Sequence, residues 1–571
     1  MGKKRTNIFP YVVSQRKKKH RRNNENTISQ TSNTEFVNNQ NEISNTGTTN
    51  FTRYSLKRIS NICNMQKETL SNSLYLDLGD CTYICKYCGA FFWFNERANE
   101  TKPLKFNLCC KNGKIQLPLL KETPHVLDNL LDYYGGLEST YYRKNIRTIN
   151  SMLAFTSFGA NIDSSASDSH GPHIFKINGQ IHHLLGSLLP VDNNPPRFAQ
   201  LYIYDTENEI QNRMSTFSIN ESSKIITEKI IEKLIKMLDE TNVLVKLFRR
   251  IRDRYKESNI PSIKLRLLGR RNLDSTQYDL PTSNDIGGLI VGDIGENEKG
   301  KDIIVENKSN NLQRITKLHP SYMSLQYPLL FPYGEDGYMI DLNWSSEHMN
   351  TQPSRKRIPM RAFYCYQLQQ RQNQGSTLFR SGGLFQQYLV DAYASVEEDR
   401  LDYIKKNQKT LRSEIYQGIQ DAVTRGDTDP NAIGKRIILP SSHTGSPRYM
   451  IQNYQDAMAI CRQYGNPDLF ITFTCNPKWP EITRALSIIP GQKPEDRPDI
   501  VVRVFKMKLE QMLATIKSGT IFGTIIADLY VVEFQKRGLP HCHFLFWLHP
   551  DEKIHEPSQI NKLISARSIR I

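Results

Sequence analysis

Nowhere does the chain hold an apolar run near the roughly 18 residues that a membrane-crossing helix requires, and no secretory signal opens it. No membrane partner is therefore predicted. A competent phosphate loop is also missing. The nearest approach, "GENEKGKD" at 295–302, keeps Gly295, Gly300 and Lys301 but puts Asp302 where a Ser or Thr would ligate magnesium. Glu296 and Glu298 add further repulsion toward phosphate, so ATP binding by this chain is not expected. Cysteine is scarce outside one segment: five of the ten fall between 81 and 110. That clustering, in a long chain without a signal, points to metal rather than to a disulfide framework.

Acid is absent from residues 1–22, which hold nine Lys or Arg. They account for nine of the formal +17, leaving +8 for the other 549 residues, so the basicity is mainly that of a tail. The run "QRKKKHRR" at 15–22 reads as a nuclear-import signal or a non-specific phosphate contact, with a plain solvated tail as the alternative. Residues 23–52 are Asn-, Ser- and Thr-rich and hold too few apolar groups to offset the entropy of ordering. Residues 1–52 are thus expected to be a disordered basic tail.

The segment 53–125 is expected to bind zinc. Cys85 and Cys88 form a C-x2-C knuckle, and Cys109 and Cys110 return after a 20-residue excursion. Four thiolates complete one tetrahedral Zn²⁺ site, which would supply folding energy to a segment too short to build its own core. Adjacent side chains diverge on an extended strand, so one of the last pair must sit in a turn, and Cys81 is an alternative ligand for either.

Residues 126–345 read as an α+β middle region. β-like runs at 199–206 ("AQLYIYDT") and 262–269 ("SIKLRLLG") flank a helical stretch near 223–257, where Ile226, Ile230, Leu234, Met237, Leu244, Leu247 and Ile251 recur at helical spacing. Residues 346–432 read as helical: a helix-rich stretch, 383–424, carries Leu384, Tyr388, Val390 and Ala394 early and Leu401, Ile404, Ile415, Ile419 and Val423 later.

From 433 onward the pattern is that of a β/α sandwich: "RIILP" (436–440), a helix from about 450, the strand "DLFITFTCNP" (468–477), and an amphipathic helix over about 498–517 stopped by Gly519. On the strand, Thr472, Thr474 and Asn476 share a polar face opposite Ile471, Phe473 and Cys475, a candidate surface for nucleic acid. "TIIADLYVVEF" and "HCHFLFWL", joined by "QKRGLP", then predict an antiparallel hairpin. Its geometry puts His541 and His543 on one face with Glu533 beside them. Two imidazoles and a carboxylate form a mixed N/O site suited to Mg²⁺ or Mn²⁺, with coordination positions open to water and a phosphate oxygen. Lys536, Arg537 and Arg448 are candidate phosphate contacts, though the turn "SSHTGSPR" (441–448) reads equally well as simply solvated.

"NSMLAFTSFGANID", "GQIHHLLGSLLP", "FAQLYIYDTENEIQNR", "HPSYMSLQYPLLFPYGEDG", "LPSSHTGSPRYM", "FITFTCNPKWPEI" and "EFQKRGLPHCHF" together resemble the amino-terminal half of Helitron transposases, from about 85 to 571. The resemblance implies an α+β multidomain protein: a zinc region, a middle region, and a replication-initiator nuclease domain of the HUH class over 433–571. Such domains nick and join single-stranded DNA through a metal-polarised phosphate and a tyrosine that forms a covalent 5′-phosphotyrosine. It places His541 and His543 on the HUH motif, Glu533 on the third ligand position and "FITFTCNP" on the first initiator motif. The implied tyrosine lies further downstream in that family, and residues 544–571 contain none. The expectation is therefore an incomplete nuclease domain without the helicase half, or a single-stranded DNA-binding protein that does not cut. Tyr388 and Tyr393, five residues apart on a helix, do not face the same way and read as packing residues.

Overall fold

The computed structural model describes residues 11–13, 75–98, 104–163, 175–190, 194–217, 219, 221–257, 263–267, 287–291, 303–305, 312–345, 357–408, 437–535, 538–553 and 555–563. Nearly all belong to one compact unit, residues 1–13 with 78–571. The loop 295–302, residues 409–436, Lys536, Arg537 and most of the expected tail lie outside the described residues.

In chain order the elements are β1 (Tyr11–Val13), β2 (Tyr83–Ile84), β3 (Phe91–Phe92), α1 (His125–Leu130), α2 (Gly136–Leu153), β4 (Ser157–Ile162) and β5 (Ile177–Leu185). There follow α3 (Glu209–Ser215), α4 (Glu221–Thr241), α5 (Val243–Glu257), β6 (Ile263–Leu267), β7 (Gly287–Val291), β8 (Ile303–Val305), β9 (Gln313–Arg314) and α6 (Tyr322–Gln326). Then come α7 (Met360–Gln367), α8 (Thr377–Arg380), α9 (Gly382–Lys406), α10 (Pro447–Tyr464), β10 (Leu469–Thr474), α11 (Pro480–Leu486), α12 (Pro498–Lys517), β11 (Ile525–Phe534), β12 (Pro540–Leu548) and α13 (Pro557–Leu563). The chain is thus an α+β protein of helices and small antiparallel sheets. No helix among the described residues is long and apolar enough to cross a membrane.

Two hydrophobic cores organise these elements. The larger joins the cysteine segment, α1 to α5 and α6 to α9. In α4, Ile230, Ile231, Leu234, Met237 and Leu238 are buried at i, i+3, i+4 spacing, and α5 continues that face with Leu244, Leu247, Phe248 and Ile251. The β-like run at 199–206 is not a strand. It begins as a 3-10 turn, Phe198–Tyr202, because the consecutive residues Leu201, Tyr202 and Ile203 are all buried among helices: Tyr202 stacks on Phe155 at 4.5 Å and donates its hydroxyl to the Leu153 carbonyl at 2.6 Å. Short apolar runs do not distinguish a strand from such a buried turn. Residues 437–440, expected to be strand-like, form no regular element.

The second core lies under a four-stranded antiparallel sheet of order β1-β11-β12-β10. Cys542, Phe544, Phe546 and Leu548 of β12 point to one side and meet Val501, Val504, Phe505 and Leu509 of α12. Pro498 opens α12 at its first turn, where a missing N–H costs nothing, and Gly519, at φ +80°, ends it. On the opposite side of the sheet Phe470, Thr472 and Thr474 are exposed, while Trp547 is wholly buried. Tyr11–Val13, within the expected tail, adds the edge strand by pairing with Val532 to Tyr530.

Candidate metal centres

Alternation along β12 sends its even-numbered residues into the core and its odd-numbered ones to the opposite face, where His543 and Leu545 are partly exposed and Trp547 is covered. Register then fixes the neighbours. His541 stands opposite Glu533 on one side and Thr474 on the other, and His543 stands between Val531 and Thr472. The hairpin is closed by Gln535–Leu539 hydrogen bonding, with Gly538 at φ +74° allowing the turn.

Glu533, His541 and His543 each offer a ligand atom, all within 4.8 Å of one another. Glu533 Oε1 lies 3.1 Å from His543 Nε2. His541 Nδ1 is 2.7 Å from the Thr474 hydroxyl, which leaves Nε2 as its free ring nitrogen. The His541 ring is buried, whereas His543 and Glu533 are about one-third exposed, so the group opens to solvent on one side. Burial, then the neighbouring His543, holds the His541 imidazole below its ordinary range, against the opposing pull of Glu533. A neutral imidazole is the form that ligates metal.

A second group lies in the larger core. The Sγ atoms of Cys85, Cys88, Cys109 and Cys110 converge within 4.8 Å, with Cys85 and Cys109 lying 3.7 and 3.6 Å from Cys110. Tetrahedral zinc, with Zn–S bonds of about 2.3 Å, requires S···S separations of roughly 3.8 Å. The spacing fits a metal and is far beyond a disulfide bond. Lys111, Asn112 and Gly113 all take positive φ immediately after Cys110; this is the turn that brings an adjacent cysteine pair to one centre, and Gly113 donates its N–H to Cys110 Sγ at 3.2 Å. Hydrogen bonds, chiefly from Cys109, hold the Cys85 and Cys88 thiols below their usual range, while Cys110 and the others push Cys109 above it. Four thiols so close cannot all ionise without a cation among them. Cys81 is not in the group; its thiol is pushed up to about 12 by burial, against the opposing pull of Arg503.

The remaining candidates are dispersed. Thr472 shares the open face, while Asn476 Oδ1 accepts the Lys478 N–H at 2.9 Å and so shapes the turn after β10. Arg448 sits in the first turn of α10, whose Ser446 cap accepts the Tyr449 N–H. Tyr388 is fully buried and donates to Gln367 Oε1 at 2.5 Å, while Tyr393 is exposed. His549 caps the turn after β12 rather than extending it.

Residues 363–546 match the protein family described as Helitron helicase-like domain at N-terminus. A comparison with curated proteins finds no match. The matched Helitron-like residues run from α7 to β12 and include Glu533, His541 and His543; the four clustered cysteines precede them.

Sequence reading passed over several residues that build these sites. Phe470 lies on the open face, 65% exposed, with its ring stacked on His543 at 5.7 Å; its place in the Thr472 and Thr474 alternation signalled it. Trp93 is an outlier from the cysteine segment that packs in the core of the sheet. Its ring lies under the Arg503 guanidinium, which forms a two-pronged ion pair with Glu96 at 2.7 Å. Nothing local in the sequence links Glu96 to a residue 407 positions away.

Proposed function

We propose that the open face of this sheet binds a single strand of DNA, with a divalent cation, Mg²⁺ or Mn²⁺, held by Glu533, His541 and His543. The convergence of those three side chains on an exposed sheet face carries the reading. The donor set is one carboxylate and two imidazoles, and it leaves coordination positions on the solvent side. Bound there, the ion would polarise a backbone phosphate. With Nε2 of His541 on the ion, Nδ1 would carry the proton and donate it to the Thr474 hydroxyl, 2.7 Å away, which holds the ring. Glu533 Oε1 and His543 Nε2, 3.1 Å apart, are close enough to share one ion.

Beside this group, Phe470 offers a flat apolar surface to a base, a contact worth about 1–3 kcal/mol and tolerant of sequence. Thr472, Asn476, Arg448, Lys536 and Arg537 would supply backbone contacts and a salt-sensitive component. Nicking of that strand, as in HUH nucleases, needs a tyrosine hydroxyl in line with the phosphate: a new P–O bond to tyrosine forms as the bond to the 3′ oxygen breaks. Tyr388 does not serve, being buried and bonded to Gln367. We therefore assign metal-dependent strand binding to these residues. The Cys85, Cys88, Cys109 and Cys110 group is assigned a structural Zn²⁺, and the basic run at 15–22 a nuclear address.

The test is calorimetric titration with Mn²⁺, paired with anisotropy of a labelled single-stranded oligonucleotide and a denaturing gel for a protein–DNA adduct. Mn²⁺ uptake lost in His543→Ala, and strand binding that requires the ion, are the expected results. Wild-type protein that takes up no Mn²⁺ would overturn the reading, and an adduct would extend it to cleavage. Phe470→Trp adds a probe: its emission should be quenched by the oligonucleotide and not by Mn²⁺ alone.

A further inference from the structure

Arg371 is 96% buried, yet no carboxylate pairs with it among the described residues. Its Nη1 donates to the Gln369 carbonyl at 3.0 Å, and its guanidinium lies flat on the Tyr366 ring at 3.6 Å. Nε and Nη2 are buried and have no hydrogen-bond partner among the described residues. A buried guanidinium left without its counter-charge is strongly destabilising in general. Something must offset that.

The backbone shows what lies opposite. Residue 371 bridges Ala90, immediately after the Cys85–Cys88 knuckle. Phe91 N–H donates to Gln370 O at 2.9 Å and Gln372 N–H to Gly89 O at 3.3 Å, so the knuckle and 370–372 form a short two-stranded contact. Arg371 thereby lies beside the segment that holds Cys88. Four thiolates around a divalent ion carry a net charge of about −2, a buried excess that favours a cation and N–H donors at its border.

We propose that Arg371 is the outer cation of the cysteine metal site, its free N–H groups donating to the thiolate sulfurs when the metal is bound. It is a positioning residue, not a ligand. Because Arg371 lies within the Helitron-like span and the cysteines precede it, the site is built jointly, and metal occupancy is coupled to the packing of that domain. This rests on the Cys85, Cys88, Cys109 and Cys110 group binding metal.

The experiment uses the full chain and its Arg371→Met and Arg371→Lys variants. Bound zinc is measured by elemental analysis, its affinity by competition with a chromophoric chelator, and the sulfur environment by the thiolate-to-metal absorption of the cobalt-loaded protein. Arg371→Met is expected to weaken zinc by about 10–100-fold, the usual effect of losing an outer partner, and to shift the cobalt band to lower energy; Arg371→Lys should recover part of both. Should Arg371→Met not fold, the lysine variant decides alone, since a point charge cannot reproduce the planar fork and the band must still shift. Zinc bound by wild type with unchanged affinity and an unchanged band in the variants overturns this inference alone. Wild-type protein that holds no zinc overturns the cysteine site with it.

Discussion

Trp93 is where the cysteine segment and the sheet should prove energetically inseparable. Its side chain is 1% exposed, lies in the core beneath the sheet, and is covered by Arg503 at 4.7 Å. Trp93→Ala removes a large buried ring, a change that costs about 3–5 kcal/mol, plus about 1 kcal/mol of cation–π attraction. Since domains are stable by only about 5–15 kcal/mol, that should remove a large share of the stability. Trp93→Phe is the discriminating variant. The indole Nε1 is buried without a hydrogen-bond partner among the described residues. Phenylalanine deletes that unpaired donor, regaining about 1–3 kcal/mol while losing a comparable amount of packing. The net change should be within about 1.5 kcal/mol of zero. Denaturant unfolding followed by circular dichroism gives the stabilities, and amide exchange on 469–474 and 540–548 localises the effect. If Trp93→Ala loses less than about 1.5 kcal/mol, or if exchange rises only around the cysteines, the ring does not support the sheet and the reasoning fails.

Three further outcomes are expected. Thr474→Val should lower Mn²⁺ affinity by about 10-fold or more, because His541 loses the bond that sets its tautomer; calorimetry beside wild type reads it, and equal affinities would count against the ring's being held by Thr474. His183 and Asp391 are both wholly buried, with Nε2 2.7 Å from Oδ2 and a further bond from Tyr327 to the same oxygen at 2.8 Å. Asp391→Asn should therefore cost about 3–5 kcal/mol in denaturant unfolding, and much less when His183 is already Leu, since the two share one interaction. Burial pushes the Glu335 carboxyl up to about 7. Its folded value exceeds its unfolded one, so the stability it contributes is complete at low pH and lost as pH rises through about 7; Glu335→Gln should gain melting temperature over wild type between roughly pH 5 and 8, and a constant difference would refute the assignment.

What could be read from the sequence follows from range. His541 and His543 share a face by alternation alone, Glu533 joins them because a short turn fixes hairpin register, and the cysteine knuckle declares itself by spacing. These are local facts, decided within about a dozen residues of chain. The α12 stripe and its glycine stop are equally local. The run at 199–206 misled because a buried turn and a strand can share the same apolar alternation, and only Phe155 and Leu153, some fifty residues earlier, decide between them. Arg503 with Glu96, and Arg371 with the knuckle, span hundreds of residues and leave no periodic trace.

Those long-range contacts also change what the two candidate metal groups mean for each other. Leaving the cysteine knuckle, the chain pairs with 370–372, places Trp93 in the core under β12, and binds Arg503 of α12 through Glu96. The core residues Cys542 and Phe544 alternate along β12 with His541 and His543, so any shift of that core moves the imidazoles as well. A ligand geometry tolerant to only about 0.5 Å cannot rest on a loosely held strand. A disturbance at the cysteine group would thus reach the histidine group through the packing of Trp93 and α12. Zinc removal should accordingly weaken Mn²⁺ uptake, and Trp93→Ala should do the same with zinc still bound.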